Sequence, residues 1–139
     1  MKLKHLKHTD TLDFFAVDED AFSSIPMFSD AVQAGFPSPA EDHMDMDLNL
    51  NDHLVQNPSA TFCVKAIGES MKDAGIQSGD IMIVDKSLEP QNRSIVLAVI
   101  DGEFTVKRVN VNDKELYLMP ENSNFSPIKI TEEMDFQVW

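Results

Sequence analysis

The sequence predicts a mostly β domain of short antiparallel strands, preceded by an extended N-terminal arm. Three observations carry that reading. From residue 59 onward, short β-prone runs recur at close intervals. Turn formers separate them, as in all-β domains. Before residue 58 the texture differs, with turn formers, acidic clusters and isolated aromatics in no sustained period. At 139 residues and 42% hydrophobic, the chain is long enough for one core and too short for two ordinary domains.

In chain order, the arm comes first. Asp10, Asp13, Asp18, Glu19, Asp20 and Asp30 stand in a stretch with no Lys or Arg between Lys7 and Lys65. Acidic, weakly patterned segments of this kind are commonly disordered. Phe14, Phe15, Phe22 and Phe28 are nevertheless too numerous for a purely solvated linker. Spaced aromatics dock either on the chain's own domain or on a partner. The two prolines in Gly35-Phe-Pro-Ser-Pro39 stiffen that segment into extended backbone.

The strands follow as Thr61–Ile67, Asp80–Asp85, Ser94–Ile100, Glu103–Val109 and Glu115–Met119, with Phe136–Trp139 as a short last run. Their separators include Gly75, Ser78-Gly79, Glu89-Pro90, Asn112-Asp113 and Pro120-Glu-Asn-Ser123. Asp101-Gly102 between two apolar runs predicts a two-residue hairpin, because a type I′ turn needs positive φ at both central positions. Gly68–Gly75 suits a short helical turn that Gly75 ends.

Charge bounds the function. Lys+Arg 11 against Asp+Glu 24 gives a formal net charge of -13. Such a chain repels polyanions, and direct DNA binding is disfavoured because that affinity comes from cations neutralising phosphates. Cys63 is the single cysteine, in an apolar run, and reads as a buried structural thiol. The longest apolar stretch, Ile95–Ile100, falls far short of the ~20 residues that span a bilayer. Asp10 and Asp13 interrupt the N-terminus, so it does not read as a signal peptide, and a cytoplasmic protein is the default.

Few residues carry chemistry. His43 and His53 lie among Glu41, Asp42, Asp45, Asp47 and Asp52, yet their spacing fits no common ligand set, and no metal or other cofactor is expected. A Ser-His-Asp triad has no support in the spacing. What remains is Ser70 in a Gly-x-Ser turn after a strand, where backbone N–H groups could stabilise an oxyanion. The ordinary alternative is a serine that caps the turn. On the strand Glu103–Val109, alternation puts Phe104, Val106 and Arg108 on one face and Thr105, Lys107 and Val109 on the other. If both faces are covered, one of the two cations approaches an apolar environment, and a desolvated lysine can act as a base near neutral pH. A lysine on a solvated face is the commoner outcome. Taken singly, neither residue stands out.

Their setting adds to this. The runs Ala34-Gly-Phe-Pro-Ser-Pro-Ala40, Asn57-Pro-Ser-Ala-Thr61, Gly68-Glu-Ser-Met-Lys-Asp-Ala-Gly-Ile76, Gly79-Asp-Ile-Met-Ile-Val-Asp85, Asp101-Gly-Glu-Phe-Thr-Val-Lys107 and Met119-Pro-Glu-Asn-Ser-Asn-Phe-Ser-Pro127 occur in order. Together they resemble the LexA-like serine peptidases of the S24 type, from about Val32 to the end. The resemblance implies a LexA-like β domain, with Ser70 as nucleophile and Lys107 as general base. It implies self-cleavage between Ala34 and Gly35, with the backbone N–H groups of Ser70 and Glu69 as oxyanion hole. Residues 1–34 would then be a cleavable arm, 35–57 an extended linker and 58–139 the peptidase-like domain. A further strand is expected beyond Phe136–Trp139.

The resemblance also implies partners: a homodimer, a RecA filament on single-stranded DNA that stimulates cleavage, and a UmuC-type Y-family polymerase for translesion synthesis in the SOS response. The net charge and the short apolar stretches add the expectation of no direct DNA binding and no membrane. Two rivals remain. One is a non-catalytic regulatory subunit of such a polymerase. The other is a fragment of a LexA-type repressor, although the residues before Ala34 are too few and too acidic for a helix-turn-helix.

Overall fold

The computed structural model describes residues 2–10, 12–18, 24–28, 34–35 and 44–139. The expectations for Glu19, Asp20, Phe22 and Asp30, for the proline segment from Phe36 to Pro39, and for His43 with Glu41 and Asp42 lie outside the described residues.

Among the described residues the fold is β. The strands are β1 (Leu3–His8), β2 (Leu12–Val17), β3 (Ser24–Phe28), β4 (Met44–Asn49), β5 (Thr61–Ala66), β6 (Ile81–Asp85), β7 (Ile95–Ile100), β8 (Glu103–Asn112), β9 (Glu115–Met119), β10 (Ile128–Ile130) and β11 (Phe136–Val138). One short helix, α1 (Leu50–Leu54), starts at Asn49, whose side chain accepts from the Asn51 N–H at 3.1 Å. The strands form a four-stranded sheet in the order β1-β2-β5-β6, a five-stranded sheet in the order β10-β9-β8-β7-β11, and the separate pair β3-β4. Every pairing is antiparallel.

The hairpins show why the chain turns where it does. Asp101 and Gly102 both hold positive φ, 50° and 84°, and join β7 to β8 with Ile100 opposite Glu103. This is the backbone that a two-residue type I′ turn demands. The next loop is Asp113-Lys114, again with both φ values positive, one residue later than the Asn112-Asp113 signal. β8 therefore runs three residues beyond Val109, to Asn112.

The two larger sheets share a core. Leu12, Phe14 and Val64 from one meet Leu97 from the other, with Phe62, Phe104, Val106 and Trp139 packed around them. A second cluster, Val96, Ala98, Val109 and Leu118, lies across the five-stranded sheet. Val96, Leu97 and Ala98 are buried in succession, so β7 is covered on both faces. That explains why its sequence is an unbroken apolar run rather than an alternating one. Leu118 is fully buried, and Leu118→Ala is expected to cost about 2–5 kcal/mol of folding stability. Urea unfolding measures this, and a loss below about 1 kcal/mol would contradict the packing.

The arm's first half is part of this core. Leu12 and Phe14 alternate inward on β2, which pairs with β5 along Leu12–Ala16. β1 and β2 thus dock on the chain's own domain, one of the two outcomes that the aromatics left open. Cys63 is wholly inaccessible, and burial pushes its thiol pKa up, so it stays protonated and inert. Among the described residues no helix is long and apolar enough to cross a membrane.

Candidate active site

β5 delivers the chain into the site. After Ala66 the backbone turns through Gly68, at φ 95°, where a side chain would be strained. The Gly68 N–H donates to Ser78 Oγ at 3.2 Å, and Gly79 N–H donates back to the Ala66 carbonyl at 2.8 Å, which closes the loop at its base. Ser70 follows, half-buried, before a single 3₁₀ turn at Lys72–Ala74 that ends on Gly75 in the left-handed conformation, φ 83°. The residue preceding that turn is Met71, with no side-chain cap, so Ser70 does not cap it. Nor does Ser70 open the helical turn: any oxyanion donors here belong to a tight loop rather than to a helix N-terminus.

β8 supplies the second group. Thr105 and Lys107 share one face, as alternation dictates, while Phe104 and Val106 enter the core from the other. The two adjacent cations have opposite fates. Arg108 pairs with Glu121 and donates to the Arg93 carbonyl at 2.7 Å. Lys107 is 7% exposed. Its Nζ lies 3.0 Å from Ser70 Oγ, 2.8 Å from Thr105 Oγ1 and 3.0 Å from the Val106 carbonyl oxygen.

These three neighbours decide what the amine can do. The Val106 carbonyl can only accept, so one N–H is committed there, and the Thr105 hydroxyl can take a second. A neutral amine then keeps its lone pair for the hydroxyl of Ser70. Among the described residues no carboxylate lies within ion-pair distance of Lys107. Burial pushes the Lys107 pKa below the ordinary lysine value. The arrangement can therefore take a proton from Ser70 Oγ.

The pair opens onto a cleft of about 350 Å³, walled by Leu12, Gly68, Glu69, Met71, Thr105 and Phe125. Among the described residues neither the Ser70 N–H nor the Glu69 N–H donates a hydrogen bond. A second groove of about 390 Å³, between β6 and β7, contains neither Ser70 nor Lys107. Ala34 and Gly35 are exposed and do not line the cleft. The structure thus brings Ser70, Glu69 and Lys107 together and leaves the Ala34–Gly35 bond outside. Among the described residues, no group of three His, Cys, Asp or Glu side chains could hold a metal ion.

Two participants escaped the sequence reading. Thr105 was placed on the face of Lys107 without a role, although its i, i+2 spacing was the available signal. Asn122 read only as part of a turn, yet it is buried and its Nδ2 donates to the Glu69 carbonyl at 2.9 Å.

Residues 26–139 match the family model described as Peptidase S24-like. The protein ImpA of Salmonella typhimurium is similar, with 54% identity over 84 residues, 60% of this chain and 58% of ImpA. The chain thus spans less than two thirds of that relative's length. The protein SamA of Salmonella typhimurium is 47% identical over 104 residues, 75% of this chain and 74% of SamA. The protein MucA of Escherichia coli is 44% identical over 102 residues, 73% of this chain and 69% of MucA.

Proposed function

The chain belongs to the Peptidase S24-like family, and on that premise we propose that it is a self-processing serine endopeptidase that cuts its own Ala34–Gly35 bond. The observation that carries this reading is the 3.0 Å approach of Lys107 Nζ to Ser70 Oγ, on a buried lysine with no counter-ion among the described residues. In the proposed reaction, neutral Lys107 takes the Ser70 proton as Oγ attacks the Ala34 carbonyl carbon. The resulting oxyanion lies against the N–H groups of Ser70 and Glu69. Protonated Lys107 then gives its proton to the Gly35 nitrogen, the C–N bond breaks, and Ala34 is left as an ester on Ser70. Water, deprotonated by the same lysine, hydrolyses that ester and regenerates the hydroxyl. Only groups of this chain take part.

The exposed scissile pair gives the reaction a purpose. A bond outside the cleft must be delivered to it, which suits a slow, one-time switch better than digestion. On this UmuD-like reading, a RecA filament on single-stranded DNA promotes delivery within a cytoplasmic homodimer. The trimmed form then serves a UmuC-type Y-family polymerase in SOS translesion synthesis. The acidic surface disfavours direct contact with DNA, so the link to nucleic acid runs through these proteins.

Incubation of the purified chain at mildly alkaline pH tests the reading. Mass spectrometry is expected to find an accumulating fragment whose first residue is Gly35. A first residue elsewhere would refute the assigned bond. No fragment at all, with or without RecA filaments, would leave the non-catalytic regulatory subunit as the better account.

A further inference from the structure

We propose that Asn122 is a positioning residue for the oxyanion hole, holding the Glu69–Ser70 peptide so that its N–H faces the cleft. The inference rests on the self-cleavage reading for its consequence, and on geometry for its cause. Asn122 is 5% exposed and sits in the turn after β9. Its side-chain Nδ2 donates to the Glu69 carbonyl at 2.9 Å. Its Oδ1 accepts from the Asn124 N–H at 3.0 Å.

The Glu69 carbonyl and the Ser70 N–H belong to one planar trans peptide, so they point in opposite directions. Fixing the carbonyl on one side fixes the N–H on the other. Glu69 and Ser70 line the cleft and Asn122 does not, so the amide lies behind the loop and the N–H in front of it. A second latch holds the next peptide: the Glu121 N–H donates to the Ser70 carbonyl at 2.8 Å, and the Asp73 N–H donates to the Glu121 carbonyl at 2.8 Å. Arg108, the cation that β8 turns away from the dyad, pairs with the Glu121 carboxylate. The turn at Glu121-Asn122 therefore braces the nucleophile loop from behind through two successive carbonyls. An oxyanion donor works only if it is aimed before charge develops, and a preorganised N–H of this kind needs a partner on its own carbonyl.

The two bonds of Asn122 allow a discriminating test. Asn122→Asp keeps an acceptor for the Asn124 N–H and loses the donor to Glu69, whereas Asn122→Ala loses both. A side chain that merely shaped its turn would be replaced adequately by aspartate. A positioning residue would not. Both variants are expected to cut about 10- to 100-fold more slowly at high pH, and in Asn122→Ala, which adds no charge, the midpoint of the pH–rate profile is expected to stay in place. The amide resonance of Ser70 in 1H–15N spectra is expected to shift in both, which reads the peptide's orientation without any cleavage. If the unsubstituted chain does not cut itself while the Ser70 amide still responds, the self-cleavage reading fails and the positioning stands. Cleavage at the original rate in Asn122→Asp, or an unmoved Ser70 amide, would overturn the proposal. Should both variants unfold, the unsubstituted chain decides. Its Asn122 side-chain amide protons are expected to exchange with solvent far more slowly than those of exposed Asn112, and fast exchange would sink the idea.

Discussion

Ser70→Ala and Lys107→Met are each expected to reduce self-cleavage at Ala34–Gly35 at least about 10³-fold. The first removes the atom that bonds to the Ala34 carbonyl carbon. The second removes the base and keeps the apolar stem that packs around it. Lys107→Arg is expected to fail equally, because a guanidinium cannot give up its proton in a protein. The losses in Ser70→Ala and Lys107→Met should not come from unfolding. Among the described residues no carboxylate lies beside buried Lys107, so Lys107→Met is expected to melt at the same temperature or higher. A Ser70→Ala chain that still yields the Gly35 fragment would show that another peptidase makes the cut.

The sign of the pH dependence follows from the same burial. In the proposed reaction Lys107 acts when neutral, and its pKa is lowered in the folded chain by desolvation. Raising the pH through that lowered value fills the neutral state, so the rate climbs and then levels off. Stability moves in the same direction. The unfolded chain holds this proton more tightly, so below the folded pKa the burial of the ammonium carries its full cost. That cost fades as the pH rises from the folded pKa towards the unfolded value. A cleavage rate flat from acid pH right through the alkaline range would argue against a lysine base.

The β domain was legible because its signals are local. Asp101-Gly102 announces a hairpin by itself, and the alternation in Glu103–Val109 assigned every face of that strand correctly, from Phe104 inward to Lys107 on the dyad side. β10, Ile128–Ile130, is three residues long, and at that length alternation is a weak signal: β11 is as short and was read, β10 was not. β1 and β2 were hidden for another reason. Leu12 and Phe14 alternate, but only a partner strand 50 residues away, β5, makes that alternation meaningful. The site divides along the same line. Ser70 and Lys107 are nothing alone, since a capping serine and an exposed lysine share their local context. Their 3.0 Å meeting joins the loop after β5 to β8, which belong to different sheets, and residue order alone does not contain it. Asn122 was lost entirely, because a buried amide that orients a peptide 53 residues away looks, in sequence, like any turn asparagine.

The arm carries the second large effect, and it falls on folding. Phe14→Ala is expected to lower unfolding free energy by about 3–5 kcal/mol, the range for deleting a buried aromatic ring. The Phe14 ring stacks 6.1 Å from Phe62 and meets Phe104 edge-on at 4.7 Å, with Trp139 6.5 Å away. These rings come from three different strands and the end of the chain, so no single element can collapse to fill the gap. The loss would be a property of the whole cluster. Phe15, one residue along, points to the opposite face and is only half-buried, so Phe15→Ala should cost clearly less. Because β2 also brings Leu12 to the wall of the cleft, loosening it is expected to slow self-cleavage as well as to weaken the fold. Urea unfolding of the two variants side by side decides the point. Equal, small losses would mean that residues 3–17 only rest on the domain, and that the core closes without them.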